Sequence, residues 1–225
     1  MIDLSGNITL SFGAKYLAED TASYVLYDFD RSALDGRAVR FERLCEFLGL
    51  SVRCEALSGD ALEVQGIVSF EPQRLATVDG PLDLSEPSAI VERDLIDGGQ
   101  WKLYNFVLAV ACAEQLFYTV KRGAPSEQLS FDLSAVPSIR NRVIRMDEVC
   151  DGILREESVS TFALCLALPK NGFKRQVMAL YAMLGVNRAT VSPEKHLPFV
   201  LDTLSTHYAV PEFAVLARMQ QLNLL

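Results

Sequence analysis

The chain has 225 residues, of which 50% are hydrophobic and 22% are charged, and its formal net charge is −8. This composition is typical of a globular protein with a substantial core, as one large domain or one domain with a small appendage. Because negative charge repels phosphate backbones, nucleic-acid binding would need a local basic patch. The basic clusters, residues 121–122 and 140–145, are few, and Asp147 and Glu148 follow the second directly. We therefore expect no direct contact with nucleic acid.

The five cysteines are an odd number and are spread through apolar stretches: Cys45, Cys54, Cys112, Cys150 and Cys165. This usage is typical of reduced thiols that serve as small core residues, and it predicts a cytoplasmic protein. The N-terminus has no basic start followed by an apolar run, so no secretory signal is expected. Residues 103–120 are the most apolar stretch, but Asn105, Glu114 and Gln115 interrupt it. This stretch predicts a buried helix, and we expect no membrane association.

The predicted elements of the N-terminal half alternate between strands and helices. Residues 8–12 alternate as a strand, residues 14–29 have a helical pattern, and residues 28–36 have a loop composition. From Arg37 to Leu48 the apolar residues recur at helical spacing, and Gly49 is placed to end that helix. Residues 50–54 alternate as a strand.

The middle of the chain predicts a hairpin, a loop and a long helix. Residues 64–70 and 74–78 are the predicted hairpin arms, with Pro72 in the turn. Residues 79–99 are rich in Pro, Gly, Ser and Asp and predict a loop. A helix is predicted over residues 101–120, and residues 124–138 predict a second loop with one short strand at 129–133.

The C-terminal part predicts four helices, over residues 146–168, 173–184, 193–208 and 211–222. The expected fold class is therefore α+β, a small antiparallel sheet packed with helices. Three regions are expected: an N-terminal extension at 1–34, a main domain at 35–190, and a C-terminal helical pair at 191–225 that packs on it.

Five fragments of the sequence, in this order and spacing, carry a resemblance to a known family. They are FERLCEFLGLSVRCEAL (41–57), VQGIVSFEPQRLATVDG (64–80), QWKLYNFVLAVACAEQLFY (100–118), VSTFALCLALP (159–169) and LSTHYAVPEFAVLARMQQLNLL (204–225). Together they resemble zinc metallopeptidases of the ImmA/IrrE type, over residues 35 to 225. The resemblance implies a zincin-like core with a C-terminal helix pair, and it does not extend to residues 1–34.

The metal-binding motif of that family is degenerate in this chain. The family's active-site helix carries His-Glu-x-x-His, whose two imidazoles hold zinc while the glutamate activates a bound water. The fragment WKLYNFVLA places Asn105 and Ala109 at the histidine positions and Phe106 at the glutamate position. The third metal ligand would fall between Glu156 and Ser158. The chain has two histidines, His196 and His207, and they cannot form an i,i+4 pair.

The resemblance therefore implies a non-catalytic protein without metal or cofactor. Active relatives typically act on helix-turn-helix repressors that are often encoded beside them in mobile elements or stress-response systems. A member without zinc is expected to dock on such a repressor or on another regulatory protein. The acidic charge favours a partner with a basic face.

Several alternatives stay open from the sequence alone. An improvised metal site of Cys112, Cys165 and Glu156 or Glu157 would make the chain a hydrolase, and a serine or cysteine acting with His207 would do the same. A structural subunit of a larger assembly is a third possibility. The last two helices have a helix-turn-helix outline, but residues 196–225 contain a single arginine, Arg218, and no lysine, which favours packing over DNA contact.

A peptide-binding groove is the remaining hypothesis. If the predicted hairpin at residues 64–78 leaves one strand edge open, a partner strand can pair with it beside the former active-site helix. The candidate groove residues are Val64, Ile67, Val68, Phe70 and Tyr104. If the cleft is filled, the apolar residues of that helix are core instead.

Overall fold

A computed structural model describes residues 15–57, 64–123, 140–154 and 158–225. In these ranges the strands are β1 Ser51–Glu55, β2 Gly66–Ser69, β3 Gln73–Thr77, β4 Gly80–Leu84, β5 Ser88–Glu92 and β6 Asn141–Ile144. The first helices are α1 Lys15–Phe29, α2 Arg31–Leu34, α3 Phe41–Phe47, α4 Asp94–Asp97 and α5 Trp101–Gly123. The later helices are α6 Met146–Leu154, α7 Ser158–Ala167, α8 Lys170–Met183, α9 Leu197–Tyr208 and α10 Glu212–Gln221.

The predicted α+β class is confirmed, but the sheet is mixed rather than antiparallel. Four strands lie in the order β1-β5-β2-β6. β1 runs parallel to β5, with Ser51 opposite Ser88, whereas β2 is antiparallel to both β5 and β6. The parallel pair was not foreseen because β5 lies in a segment that predicts a loop.

The predicted hairpin between residues 64–70 and 74–78 is wrong. β2 pairs with β5 on one side and with β6 on the other, and β3 pairs instead with β4 in a separate two-stranded sheet. The reason is burial: β2 is largely buried, whereas every second residue of β3 is exposed. A strand with one solvent-exposed face suits a hairpin at the surface, whereas a largely buried strand lies inside a sheet with a neighbour on each side.

The predicted loop at residues 79–99 is also wrong, because it contains β4, β5 and α4. All five residues of β5 are buried, and both of its neighbours are strands of the main sheet. A short apolar run of this kind is consistent with a buried strand. The Pro, Gly, Ser and Asp residues on either side of this run are typical of a loop, so the strand was not predicted.

Most helix predictions are confirmed. Helices α1, α3, α5, α8, α9 and α10 occupy the regions predicted for them, and Gly49 follows α3 with a φ of 74°. The helix predicted over residues 146–168 is two helices, α6 and α7, and the loop predicted at 28–36 contains α2. The strands predicted at 8–12 and 129–133, and the loop predicted at 124–138, lie outside the described residues.

The long helix α5 is the centre of the core. From Phe106 to Ala113 every residue is buried, and α5 packs against α3, α7 and the sheet. It approaches β2 closely, because a Cβ added to Gly66 would lie 2.7 Å from Cγ1 of Val107. A helix that is buried on all sides has the continuous apolar composition seen here. No helix among the described ranges has both the length and the apolar character needed to cross a membrane.

A buried ion pair joins the first and last helices. Arg218 of α10 is fully buried, and its two terminal nitrogens donate to the two carboxylate oxygens of Glu19 in α1, each at 2.7 Å. Its Nε donates to the carbonyl oxygen of Leu168 at 2.9 Å, and Nη1 also donates to Gln221 at 3.2 Å. Arg218 therefore cannot contact a phosphate, which removes the single cation of the helix-turn-helix outline.

We expect Arg218→Met to destabilise the protein by about 3–5 kcal/mol, because it leaves the Glu19 carboxylate buried without its partner. Glu19→Leu should cost a similar amount, and the double variant should recover much of the loss. Urea unfolding of the three variants measures these differences. The control is Arg175→Met, which removes an exposed 2.9 Å pair with Asp35 and should cost less than about 1 kcal/mol. Equal losses for R218M and R175M would contradict the buried pair.

Candidate functional site

Asn105, which the resemblance places at the first histidine position, has a structural contact. Its side-chain Nδ2 donates to the carbonyl oxygen of Ala209 at 3.1 Å. Ala209 ends α9 in the left-handed conformation, with a φ of 53°. The amide of Asn105 thus satisfies a carbonyl where the chain turns from α9 to α10.

Phe106 and Ala109, which the resemblance places at the glutamate and second histidine positions, are core residues. Neither side chain is exposed to solvent. The ring of Phe106 packs edge-on against Phe213 of α10, with centroids 5.4 Å apart and planes at 86°. The space beside this turn of α5 is therefore occupied by protein side chains, as the filled-cleft alternative predicts.

The position of the third metal ligand, between Glu156 and Ser158, falls at a gap in the described residues. Glu156 and Glu157 lie outside the described residues, and Ser158 is the first residue of α7. Among the residues that the structure does describe, no three His, Cys, Asp or Glu side chains come together in a group that could hold a metal ion.

Both histidines have local partners. The Nδ1 atom of His196 accepts from the backbone N–H of Ser192 at 3.0 Å. The Nε2 atom of His207 lies 2.7 Å from the carbonyl oxygen of Gly36, so it must be the protonated nitrogen that donates. Each contact joins a loop to one end of α9. In neither contact is the partner of the imidazole a serine hydroxyl or a cysteine thiol, which a catalytic triad would need as its nucleophile.

The cysteines proposed for an improvised metal site have different surroundings. Cys112 Sγ lies 3.4 Å from Cys45 Sγ, and both thiols are buried. Burial, followed by the neighbouring Cys45, raises the pKa of Cys112, and burial also raises the pKa of Cys165 to about 11. Thiols with raised pKa values remain protonated and are poor metal ligands and nucleophiles near neutral pH. All five cysteines are free thiols.

The groove prediction loses its premise in the structure. β2 has a hydrogen-bonded strand on each side, so the open edge expected at residues 64–70 is not present at this strand. Val68, Phe70 and Tyr104 are buried, whereas Val64 and Ile67 are half-buried. Phe70 stacks on Tyr118 at 4.2 Å, and the hydroxyl of Tyr104 donates to Glu42 at 2.7 Å.

An open pocket of about 730 Å³ lies one turn before Asn105, between the first turns of α5 and α10. The apolar side chains around it are Trp101, Leu103, Met146, Pro211 and Phe213. The volume lies within the roughly 300–1,000 Å³ typical of ligand pockets. We call this the α5–α10 pocket.

Charged residues lie at the rim of the α5–α10 pocket. Glu212 and Lys102 both line it. The Nζ of Lys102 donates to Thr206 Oγ1 at 3.1 Å and lies 4.0 Å from a carboxylate oxygen of Asp202. The positive charge of Lys102 therefore already faces an acidic neighbour, whereas Glu212 is exposed.

Sequence reasoning did not find this pocket, although one signal was available. The chain has a single tryptophan, Trp101, at the start of its most apolar helix. Its side chain is 52% exposed, while the helix behind it is buried. Large exposed aromatic residues at the end of a core helix favour a contact surface.

We expect Phe106→Ala to destabilise the protein by about 3–5 kcal/mol, because it leaves a cavity between α5 and α10. A residue that lined an open catalytic cleft would tolerate the same truncation far better. Chemical unfolding measures the difference. The matched control is Phe47→Ala, whose ring is 40% exposed, and a loss for F106A no larger than for F47A would contradict a filled core at this position.

We expect the free energy of unfolding to fall as pH rises from about 9 to about 11. Burial raises the pKa of Cys165 in the folded chain, so in this window the unfolded chain loses the thiol proton while the folded chain keeps it. Below this window the thiol of Cys165 is protonated in both the folded and the unfolded chain, so its titration does not reduce the free energy of unfolding. Urea unfolding across this window measures how steeply the free energy of unfolding falls with pH. We expect a smaller slope for Cys165→Ala, and a slope equal to that of the unmodified chain would contradict the role given to Cys165.

No family model, no curated protein and no solved structure matches this chain. The basis for a function is therefore the geometry around α5, together with the resemblance of the five sequence fragments.

Proposed function

We propose that this chain is a non-catalytic protein-binding module with a regulatory role, derived from a peptidase of the ImmA/IrrE type. The observation that carries the proposal is the state of α5. At the positions of the glutamate and the second histidine, Phe106 and Ala109 are fully buried. A phenyl ring and a methyl group supply neither a metal ligand nor a proton acceptor.

The remaining chemical groups near α5 support the same interpretation. Asn105 is engaged by the end of α9, and the buried thiol of Cys112 has a raised pKa. Catalysis by a zinc-bound water needs three protein ligands and an open fourth position. The fully buried part of α5, Phe106 to Ala113, carries no imidazole and no carboxylate.

Binding is the function that remains for a chain with this α5. The α5–α10 pocket lies beside the degenerate positions and presents Trp101 to solvent. Pockets with apolar walls and a few polar groups are the usual places of ligand and partner contact. By resemblance, we propose a helix-turn-helix repressor as the partner, whose basic DNA-binding face would complement the net charge of −8.

The proposal predicts complex formation without cleavage. The purified chain is to be mixed with a helix-turn-helix repressor encoded beside it, at low and at high salt. We expect a complex by light scattering that weakens as salt is added, because screening reduces the attraction between acidic and basic surfaces. The repressor should stay intact on gels, with or without added zinc.

Two outcomes would contradict this function. One is chelator-sensitive cleavage of the repressor together with near-stoichiometric metal in the purified chain, which would make the protein an active peptidase. The other is the absence of any complex at low salt, which would remove the repressor as the partner. Phe47→Ala is a suitable control variant for both assays, because it changes an exposed ring and leaves α5 unchanged.

A further inference from the structure

We infer that the α5–α10 pocket holds one large apolar side chain from a basic, extended or helical segment of a partner protein. This inference rests on the proposed protein-binding function, and it adds a location and a partner chemistry to it. Three properties of the pocket carry it: an exposed but oriented tryptophan, a rigid floor, and an excess of negative charge at the rim.

Trp101 is exposed but not free to turn in every direction. Its ring packs edge-on against Tyr104, with centroids 5.8 Å apart and planes at 80°. Tyr104 is itself buried and is fixed by its hydrogen bond to Glu42. An indole that is oriented before binding loses little conformational entropy on contact, and such residues often supply most of the affinity at an interface.

The floor of the pocket is rigid on one side and adaptable on the other. Phe213 is held by the fully buried ring of Phe106. Met146, the first residue of α6, lines the pocket, and its backbone N–H is bound by Gln65 Oε1 at 2.8 Å. A fixed aromatic wall opposite a flexible thioether accepts apolar side chains of different shapes.

The rim selects for positive charge on the partner. Glu212 lines the pocket, and a carboxylate oxygen of Asp202 in α9 lies 4.0 Å from the amino group of Lys102, which also lines it. Of the exposed charged residues within two positions of a lining residue near α4 and α6, Asp97, Asp147 and Glu148 are acidic and Arg145 is basic. Lys102 is a cation on the lining, and its amino group already lies near Asp202 and Thr206. Lysines or arginines that flank an apolar residue therefore meet more carboxylates than cations at this rim.

The N-terminus of α10 does not reverse this preference. The first turns of α5 and α10 point their N-termini at the pocket, and such ends favour anions. Glu212 occupies the first turn of α10 and supplies that negative charge there, whereas the first turn of α5 has no acidic residue and carries Lys102. A carboxylate or phosphate from outside would have to approach this side chain, whereas a cationic segment is attracted to it.

The single tryptophan allows a direct binding measurement on the full chain. The probe is a synthetic peptide without Trp or Tyr, with a central leucine flanked on both sides by lysines. On titration we expect the emission of Trp101 to shift to the blue, because the leucine replaces water around the indole. A labelled form of the peptide gives the affinity by anisotropy.

Peptide variants separate the apolar and the charged contributions. Exchange of the central leucine for serine should abolish the emission shift, and exchange of the lysines for glutamates should abolish binding. A small organic cation such as tetramethylammonium should not compete. Binding of the acidic peptide, equal binding of the serine peptide, or full competition by the small cation would each overturn the inference.

Variants of the chain locate the site. Glu212→Lys should weaken the peptide about tenfold, because it reverses a charge at the rim. The control, Glu194→Lys, reverses an exposed carboxylate in the loop before the other end of α9 and should leave the affinity unchanged. Trp101→Ala should lose binding of the labelled peptide while keeping the unfolding midpoint, since the side chain is half-exposed. Equal effects of E212K and E194K would overturn the assignment to this pocket.

The repressor assay distinguishes failure of this inference from failure of the proposed function. If W101A and E212K both bind the repressor like the unmodified chain, the pocket inference fails and the protein-binding function stands. If the unmodified chain binds the peptide at this pocket but no repressor, the pocket is supported and the repressor is excluded as the partner. If it binds neither, both fail.

Discussion

Arg218 brings a permanent positive charge into the interior of the helical layer, and the position of α10 depends on how that charge is compensated. An uncompensated ion in such a place costs several kcal/mol. Here the guanidinium has five donors and meets both oxygens of Glu19, the carbonyl of Leu168 and the amide oxygen of Gln221. These acceptors come from α1, from the end of α7 and from α10 itself, so three separate parts of the chain are fixed relative to one another.

The contacts of α10 extend this constraint to the candidate site. α10 presents Phe213 to Phe106 and forms one wall of the α5–α10 pocket. The same turn of α10 that packs against Phe106 therefore also forms a wall of the pocket one turn earlier along α5. A shift of α10 large enough to open space at Phe106 would have to break the charge-assisted hydrogen bonds of Arg218. The packing of the core at Phe106 and the shape of the pocket therefore both depend on the position of α10.

Local patterns predicted the helices well, because a helix depends mainly on residues three and four positions apart. α1, α3, α5 and α8 have such patterns, and Gly49 marks a helix end through its positive φ. Strand pairing was less predictable because it depends on distant segments. β2 was assigned to its nearest neighbour in sequence, although its partners are β5 and β6, and β6 lies 72 positions from the end of β2, from Ser69 to Asn141.

The candidate site shows the same limit. The absence of imidazoles at Asn105 and Ala109 is a statement about residue types, so the sequence was sufficient for it. The pocket depends on α5 and α10 meeting at their first turns, which no local pattern records. Arg218 was noted as a lone cation, and its place on the buried face of α10 with Ala214, Val215 and Met219 was a signal that it is internal. Its partner Glu19 lies 199 residues away and could not be identified.

One face of a long central helix can have two surroundings: it lines an open polar cleft, or it is covered by other elements and joins the core. In this chain the face is covered by the contact of the buried ring of Phe106 with the partly buried ring of Phe213, and by the hydrogen bond of Asn105 to the carbonyl of Ala209 at the end of α9. Replacement of such residues by imidazole or carboxylate would bury polar groups without partners. A zinc site along this face would therefore need several simultaneous changes, whereas a binding surface at Trp101 needs none of the buried residues to move. The physical constraints in the core thus favour a function at the end of α5 over one along its buried face.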